Sequence, residues 1–345
     1  MKHANISIFV PHIGCPHRCS FCDQRTISGT QKAPSGDDVR EICTKALGEI
    51  KSPENTEIAF FGGSFTAISR RYMIELLEAA YEFIGSEKFK GIRISTRPDC
   101  ITPEILDILR KYGVTSIELG AQSMSDTVLS ANERGHTADD VYKAAELIRE
   151  YGFELGLQMM IGLYKSHFSD ECETMDKIIG IHPDTVRIYP VVILKGTKLA
   201  ELYESGEYVP VKKRGKMRAV ISTAAMMLRS FQKEGIEVIK CGLHASEFVE
   251  QDMIGGFYHP AFRELCEAYI YRKKMTDIIC SKLETTKGFL SKCDRKKDFV
   301  FAVNKSCISK AVGQRRSNIL YFKERGIEIK IIVDENIAKY EVELR

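Results

Sequence analysis

A chain of 345 residues, 44% hydrophobic and 28% charged, has the make-up of an ordinary folded protein with room for one large domain and an appendage. The net charge of +3 is unevenly spread: from Arg272 to Arg345 there are 18 Lys and Arg against 10 Asp and Glu, so the tail is basic and the body slightly acidic. No stretch nears the roughly 20 apolar residues that cross a bilayer, and Pro11 and His12 break an N-terminal run that has no small-residue cleavage site, so neither membrane span nor leader is expected and the cytoplasm is the expected compartment.

Short apolar runs at 6–10, 57–61, 91–95, 116–119, 154–160 and 185–189 read as strands. Amphipathic stretches at 70–84, 103–112, 138–151 and 168–179 lie between them, and Thr102 followed by Pro103 is a helix start. This alternation predicts an α/β fold, a parallel sheet of right-handed crossover units. Six repeats are too few for a closed eight-fold barrel. The expectation is an open, partial (β/α)6 barrel over 1–205, a barrel-closing extension over 206–270 and a basic α+β segment over 271–345. In the extension, a long helix at 215–234 and a short strand at 238–239 precede a loop-rich stretch, 241–262, that carries His244, Glu247 and His259. The tail reads as strand 299–303, helix 309–324 and strand 328–333.

Ligands of parallel α/β folds gather at the carboxyl ends of the strands. The loop after the first strand is Gly14-Cys15-Pro16-His17-Arg18-Cys19-Ser20-Phe21-Cys22, a C-x3-C-x2-C spacing that holds three of the eleven cysteines. Eleven is an odd number, and the pattern is unlike a secreted disulfide framework. Three thiolates on one short loop suit a [4Fe–4S] cubane whose fourth iron stays open to a small molecule. A zinc knuckle completed by His17 or Asp23 is the alternative. Gly62-Gly63-Ser64 follows the second strand, where glycines allow a ligand close to the backbone, or simply make a turn.

The cysteine loop, with an aromatic residue before its last cysteine, resembles the radical S-adenosylmethionine (SAM) superfamily. Further runs recur in the superfamily's order: Ser95-Thr96-Arg97-Pro98-Asp99, Glu118 to Ser123, Glu133 to Thr137, Met159 to Leu163 and Ile188-Tyr189-Pro190. Over 5–205 they resemble the radical SAM domain of the elongator catalytic-subunit family and, more distantly, the oxygen-independent coproporphyrinogen oxidases. The resemblance implies a cluster on Cys15, Cys19 and Cys22, SAM chelated to the open iron, and its reductive cleavage to a 5′-deoxyadenosyl radical. It also implies a SAM shell of Phe21, Gly62, Gly63, Ser64, Ser95, Gln122, Arg134, Gln158, Met160 and Val192. Arg134 would meet the SAM carboxylate and Gln122 the ribose. Ser95 replaces a glutamate common in relatives and Gln158 an aspartate of the porphyrin branch, which turns the reading away from porphyrins. Met159 and Met160 also suit a plain core.

Cys241 and His244 are two ligands rather than four and read as an ordinary loop. Cys266, Cys280, Cys293 and Cys307 contain no C-x2-C pair, which makes an auxiliary cluster the lesser expectation. In the tail, 308–319 resembles the helix–loop–helix of KH nucleic-acid-binding modules, whose G-x-x-G loop clamps a phosphate backbone. Gly313 matches the first glycine and Arg316 replaces the second; Arg315 and Arg316 are the candidate RNA contacts, with an RNA-free packing domain as the alternative. The acetyltransferase domain of the elongator relatives is not expected. The reading is a radical SAM enzyme, an RNA-modifying transferase with RNA (tRNA foremost) as substrate and a one-electron reductant protein as partner. Radical chemistry on a small molecule, or a non-catalytic iron–sulfur RNA-binding protein, are the alternatives.

Overall fold

The computed structural model describes residues 4–11, 15, 19–29, 32–210, 217–284 and 297–345. Parts of the cysteine loop (12–14 and 16–18, hence His17) and Cys293 lie outside the described residues. By contacts the chain divides into two compact units, Met1–Arg214 with Phe231–Tyr258, and Gly215–Ser230 with His259–Arg345.

In the first unit seven parallel strands form one sheet: β1 (Ala4–Val10), β2 (Thr56–Gly62), β3 (Gly91–Thr96), β4 (Val114–Gln122), β5 (Glu154–Ile161), β6 (Thr185–Pro190) and β8 (Glu237–Cys241). They lie side by side in that order. The six expected strands are all present, each slightly longer than its apolar run. The seventh, β8, pairs with β6 from Thr185 opposite Glu237 to Ile188 opposite Cys241 and carries the sheet beyond the expected six. That pairing returns residues 231–258 to the barrel.

The helices between strands start where local chemistry caps them. They are α1 (Gln24–Ser28), α2 (Gly36–Glu49), α3 (Arg70–Tyr81), α4 (Pro103–Lys111), α5 (Asp126–Ala131), α6 (Ala138–Glu150), α7 (Phe168–Ile181) and α8 (Lys198–Glu204). Ser35 with Asp38 closes a capping box on α2, and Thr137 with Asp140 closes one on α6. The Thr102 side chain caps α4 and Pro103 fills its first turn.

Strand alternation sorts the side chains. Ile58 and Phe60, Ile92 and Ile94, and Ile117 and Leu119 are buried at positions of one parity. Positions of the other parity are polar: Glu57, Arg93, Ser95, Glu118 and Gln158 meet one another across the sheet. The apolar face packs the core, and the concave face presents hydrogen-bonding groups.

The loop-rich reading of 241–262 gives way to structure. It contains α10 (Glu247–Asp252), capped by the Ser246 side chain. It also contains β9 (Met253–Gly256), antiparallel to β7 (Val192–Leu194). A Cβ on Gly256 would stand 2.4 Å from the Val191 carbonyl oxygen, so only glycine permits that pairing.

The second unit contains α11 (Phe262–Lys282), most of α9 (Met217–Lys233) and a three-stranded sheet. There β10 (Lys297–Val303) lies parallel to β11 (Ile327–Val333) and antiparallel to β12 (Glu343–Leu344). The helix expected at 309–324 is two short ones, α12 (Ile308–Val312) and α13 (Ser317–Lys323). The chain breaks between them at Gly313, whose φ of 80° and ψ of 154° suit glycine alone. No described helix is long and apolar enough to cross a membrane.

Candidate functional site

Above the concave face lies a cavity of about 590 Å³ lined from the carboxyl ends of the strands. Phe21 and Cys22 enter it from the cysteine loop, Gly62 from β2, Ser95 from β3 and Gln122 from β4. Gln158 and Met160 enter from β5 and Val192 from β7. The structure thus brings seven of the ten expected cofactor residues to one cavity, together with one expected cluster cysteine. Gly63, Ser64 and Arg134 do not line it.

These three sit behind the wall. Gly63 donates its N–H to the Val10 carbonyl at 2.7 Å, which draws the end of β2 against the end of β1. Gly62 has a φ of 115°, and a Cβ there would come within 2.8 Å of the same carbonyl oxygen. The Ser64 hydroxyl bonds the Thr96 hydroxyl at 3.0 Å and accepts from the Arg97 N–H, while the Ser64 N–H donates to the Cys15 thiol. Arg134 donates to the Cys19 Sγ at 2.9 Å and to the Gly120 carbonyl.

The thiols therefore face positive charge. Cys15 lies within the field of both Arg97 and Arg134, and Arg97 is also held toward Cys19 while its fork grips Asp99 at 2.9 Å on both arms. Burial and the neighbouring Cys19 nevertheless hold the Cys15 thiol above its ordinary value, with the Ser64 N–H, Arg97 and Arg134 acting against that rise. The loop is fixed by Asn132, fully buried, whose carbonyl accepts from the Ser20 N–H and whose Oδ1 accepts from the Ser20 hydroxyl, each at 3.1 Å. Asn132 itself holds the Val128 and Tyr164 carbonyls.

Gln122 ends β4 at a register shift with a φ of 64°, a left-handed conformation unusual for glutamine. Its Oε1 is buried in the cavity wall and has no partner among the described residues. His136, behind Arg134, faces the Ala121 carbonyl, and burial with the charges of Arg134 and Arg97 pushes it down to about 4.

Beneath the cavity runs an ion network that the sequence reading did not anticipate. Arg93, wholly buried, bonds Glu57 at 2.7 Å, Glu154 at 2.6 Å and Glu118 at 3.3 Å. Arg187 meets Glu118 at 2.7 Å and lies 4.6 Å from the Phe61 ring centre. Gln158 donates to Glu118 at 3.0 Å and to Ser95 at 3.4 Å, so two expected SAM-shell residues are already tied to this network. Its signal in the sequence is a charge between apolar neighbours: Ile92-Arg93-Ile94, Ile117-Glu118-Leu119 and Val186-Arg187-Ile188. His244, in the cavity wall with its ring 6.3 Å from Phe9, was singled out without a role; burial and Lys240 hold it below its ordinary value.

None of the ten described cysteines is in a disulfide, and among the described residues no three Cys, His, Asp or Glu side chains converge as ligands of one metal ion. A cubane makes a different demand, since each thiolate binds a different iron and the three stand apart around it. Cys266, Cys280 and Cys307 are buried. His259 accepts the Ala261 N–H at the start of α11, in the second unit.

Residues 9–178 match the radical SAM superfamily, and residues 183–272 match the Radical_SAM C-terminal domain. The chain belongs to the radical SAM superfamily. The superfamily's cofactors are a [4Fe–4S] cluster and SAM, and the residues present fit them: thiols beside guanidiniums and an orphaned amide oxygen in the cavity wall. An uncharacterized protein of Methanocaldococcus jannaschii is 31% identical over 209 residues, 57% of this radical SAM chain and 63% of that protein. The tRNA uridine(34) acetyltransferase of Methanocaldococcus infernus is 23% identical over 264 residues, 65% of this chain and 49% of that enzyme. The chain thus spans about half to two thirds of the length of these relatives. The solved structure of Methanocaldococcus infernus Elp3 lacking residues 1–46 superposes with a TM-score of 0.61 at 19% identity, over 84% of this chain and 69% of that one, and shares the fold.

Proposed function

We propose that this chain is a radical SAM enzyme that modifies RNA, with tRNA as the foremost substrate. Cys15, Cys19 and Cys22 hold the cluster. Gln122, Gln158, Met160, Phe21 and Val192 form the SAM wall, with Gly62 beside them in the cavity lining. Bound there, cluster and SAM supply one-electron chemistry, fed by a reductant protein, that starts a radical reaction on the substrate. The protein's own part is to place Arg97 and Arg134 beside the cysteine loop, with Arg134 bonded to the Cys19 Sγ, to present the unpaired Gln122 Oε1, and to keep the cavity floor rigid with the Arg93 and Arg187 network.

The observation that carries the RNA reading is the turn between α12 and α13. Gly313 sits where a Cβ would collide with Ser317 Oγ at 2.5 Å. Arg315 and Arg316 follow, both exposed and both with positive φ, 50° and 60°. Two arginines held in a conformation that costs energy, between two parallel strands, support a phosphate-gripping loop in place of the second KH glycine. The similarity to a tRNA-modifying enzyme supports the same substrate class. Mass spectrometry of tRNA nucleosides from a deletion strain tests it: one modified nucleoside should be missing, and an unchanged nucleoside profile rejects the RNA reading.

A further inference from the structure

The second unit holds a second concentration of positive charge, apart from the Gly313 turn. Arg325, just past the end of α13, stacks its guanidinium 3.7 Å from the ring centre of Tyr321. Arg272, on α11, lies 5.0 Å from the same ring and 5.1 Å from that of Tyr269. Arg218, exposed on α9, is close enough to act on Arg272 through its charge, as Arg325 does. Burial together with these two neighbours holds Arg272 below the ordinary arginine value.

Among the described residues neither Arg218 nor Arg272 pairs with a carboxylate; Arg325 has the exposed Glu324 at 3.8 Å. Like charges gathered without counter-charge oppose folding, and a bound anion relieves them. The tyrosines hold the guanidiniums by their flat faces and leave N–H edges to donate.

We infer that Arg218, Arg272 and Arg325, arranged around Tyr321, form a phosphodiester-binding site for the backbone of an RNA substrate. The inference rests on the RNA reading above and assigns it a second contact. Arg315 and Arg316 precede the seven-residue helix α13, and Tyr321 and Arg325 mark its other end. Two basic sites flanking one short helix suit a polyanion that repeats its charge along its length, whereas a single acidic side chain would meet one of them. Leu320, 51% exposed on the same helix, adds apolar surface for a sugar or base.

The test is tRNA-pool binding to the full chain by fluorescence anisotropy over a salt series, with thermal melts alongside. Replacing Arg272 and Arg325 together (Arg272→Gln, Arg325→Gln) should weaken binding roughly ten- to a hundredfold and reduce the salt slope by about 0.7 for each lost phosphate contact. Arg218→Gln should weaken binding several-fold while melting no lower than wild type, because it removes repulsion; a merely structural arginine would lower the melt and leave affinity alone. Unchanged affinity and slope in these variants, with binding lost in Arg315→Ala/Arg316→Ala, overturns the cluster and keeps the RNA reading. A wild type that binds no tRNA overturns both. Should the double glutamine variant not fold, Arg218→Gln alone decides. Displacement of labelled tRNA by poly-glutamate at matched charge would assign the cluster to an acidic protein and overturn the inference.

Discussion

One guanidinium nitrogen of Arg134 lies 2.9 Å from the Sγ of Cys19, and another donates to the carbonyl of Gly120. The arginine thus ties the cysteine loop after β1 to the end of β4, with its Nε buried and without a partner among the described residues. A hydrogen bond and a positive charge on a cluster thiolate raise the reduction potential. Arg134→Gln should therefore keep iron binding, move the cluster potential to more negative values and weaken SAM roughly ten- to a hundredfold. Redox titration and SAM titration read the two effects separately. An unchanged potential would show that Arg134 turns from Cys19 once the loop is loaded.

Cys15→Ala, Cys19→Ala and Cys22→Ala should each abolish uptake of about four iron and four sulfide on anaerobic reconstitution. Cys266→Ala and Cys280→Ala should leave it intact, since both thiols are buried in the second unit. Full iron content in all three loop variants would remove the cluster from this loop.

Asn132→Ala removes the side-chain bond to the Ser20 hydroxyl, keeps the main-chain bond to the Ser20 N–H, and takes the side-chain donor from the Val128 and Tyr164 carbonyls, of which Val128 retains the main-chain N–H of residue 132. Each buried group left unpaired costs on the order of 1–3 kcal/mol. The variant should melt lower and also bind less iron, because Ser20 lies between two cluster cysteines. Lower stability with normal iron uptake would make Asn132 a fold residue only.

Much of this site was legible in the sequence, and the reasons are local. Cys15, Cys19 and Cys22 share one loop, and Gly62, Ser95 and Gln122 each stand where an apolar run stops, so chain position alone locates them at one edge of a parallel sheet. Arg134 and Ser64 were legible as site residues, but their partners were not, since Cys19 and Thr96 are far from them in the chain. The α10 and β9 elements escaped because Gly255 and Gly256 read as loop, while it is the pairing with β7 that demands glycine at 256. The buried network escaped because a charge within a strand signals an inward face only once the neighbouring strands are known.

That network yields its own expectation. Arg93→Met takes the counter-charge from buried Glu57, while Glu118 keeps Arg187 and the half-buried Glu154 keeps Lys90, and breaking a buried pair costs about 3–5 kcal/mol. Urea denaturation should show the loss. Adding Glu57→Gln should recover part of it, because the stranded carboxylate is then neutral. Equal stability of Arg93→Met and wild type would mean that the hydroxyl donors of Ser116 and Thr115 suffice for Glu57.

His136 gives a pH dependence whose sign is fixed by its surroundings. Burial, Arg134 and Arg97 lower its folded value from the ordinary 6.5 to about 4, so the folded protein keeps it neutral where the unfolded chain protonates it. Its contribution to stability is then complete above pH 6.5, falls as pH drops toward 4, and falls no further below that. The slope in that window is up to about 1.4 kcal/mol per pH unit. His136→Gln should flatten the fall between pH 6.5 and 4 and leave the profile above pH 7 parallel to wild type. Denaturation midpoints of the two proteins at matched pH give the difference, and any acid loss of the cluster is common to both. Parallel curves through the whole window would mean that the folded protein takes up the proton as readily as the unfolded chain, with Arg134 and Arg97 turned away from the ring.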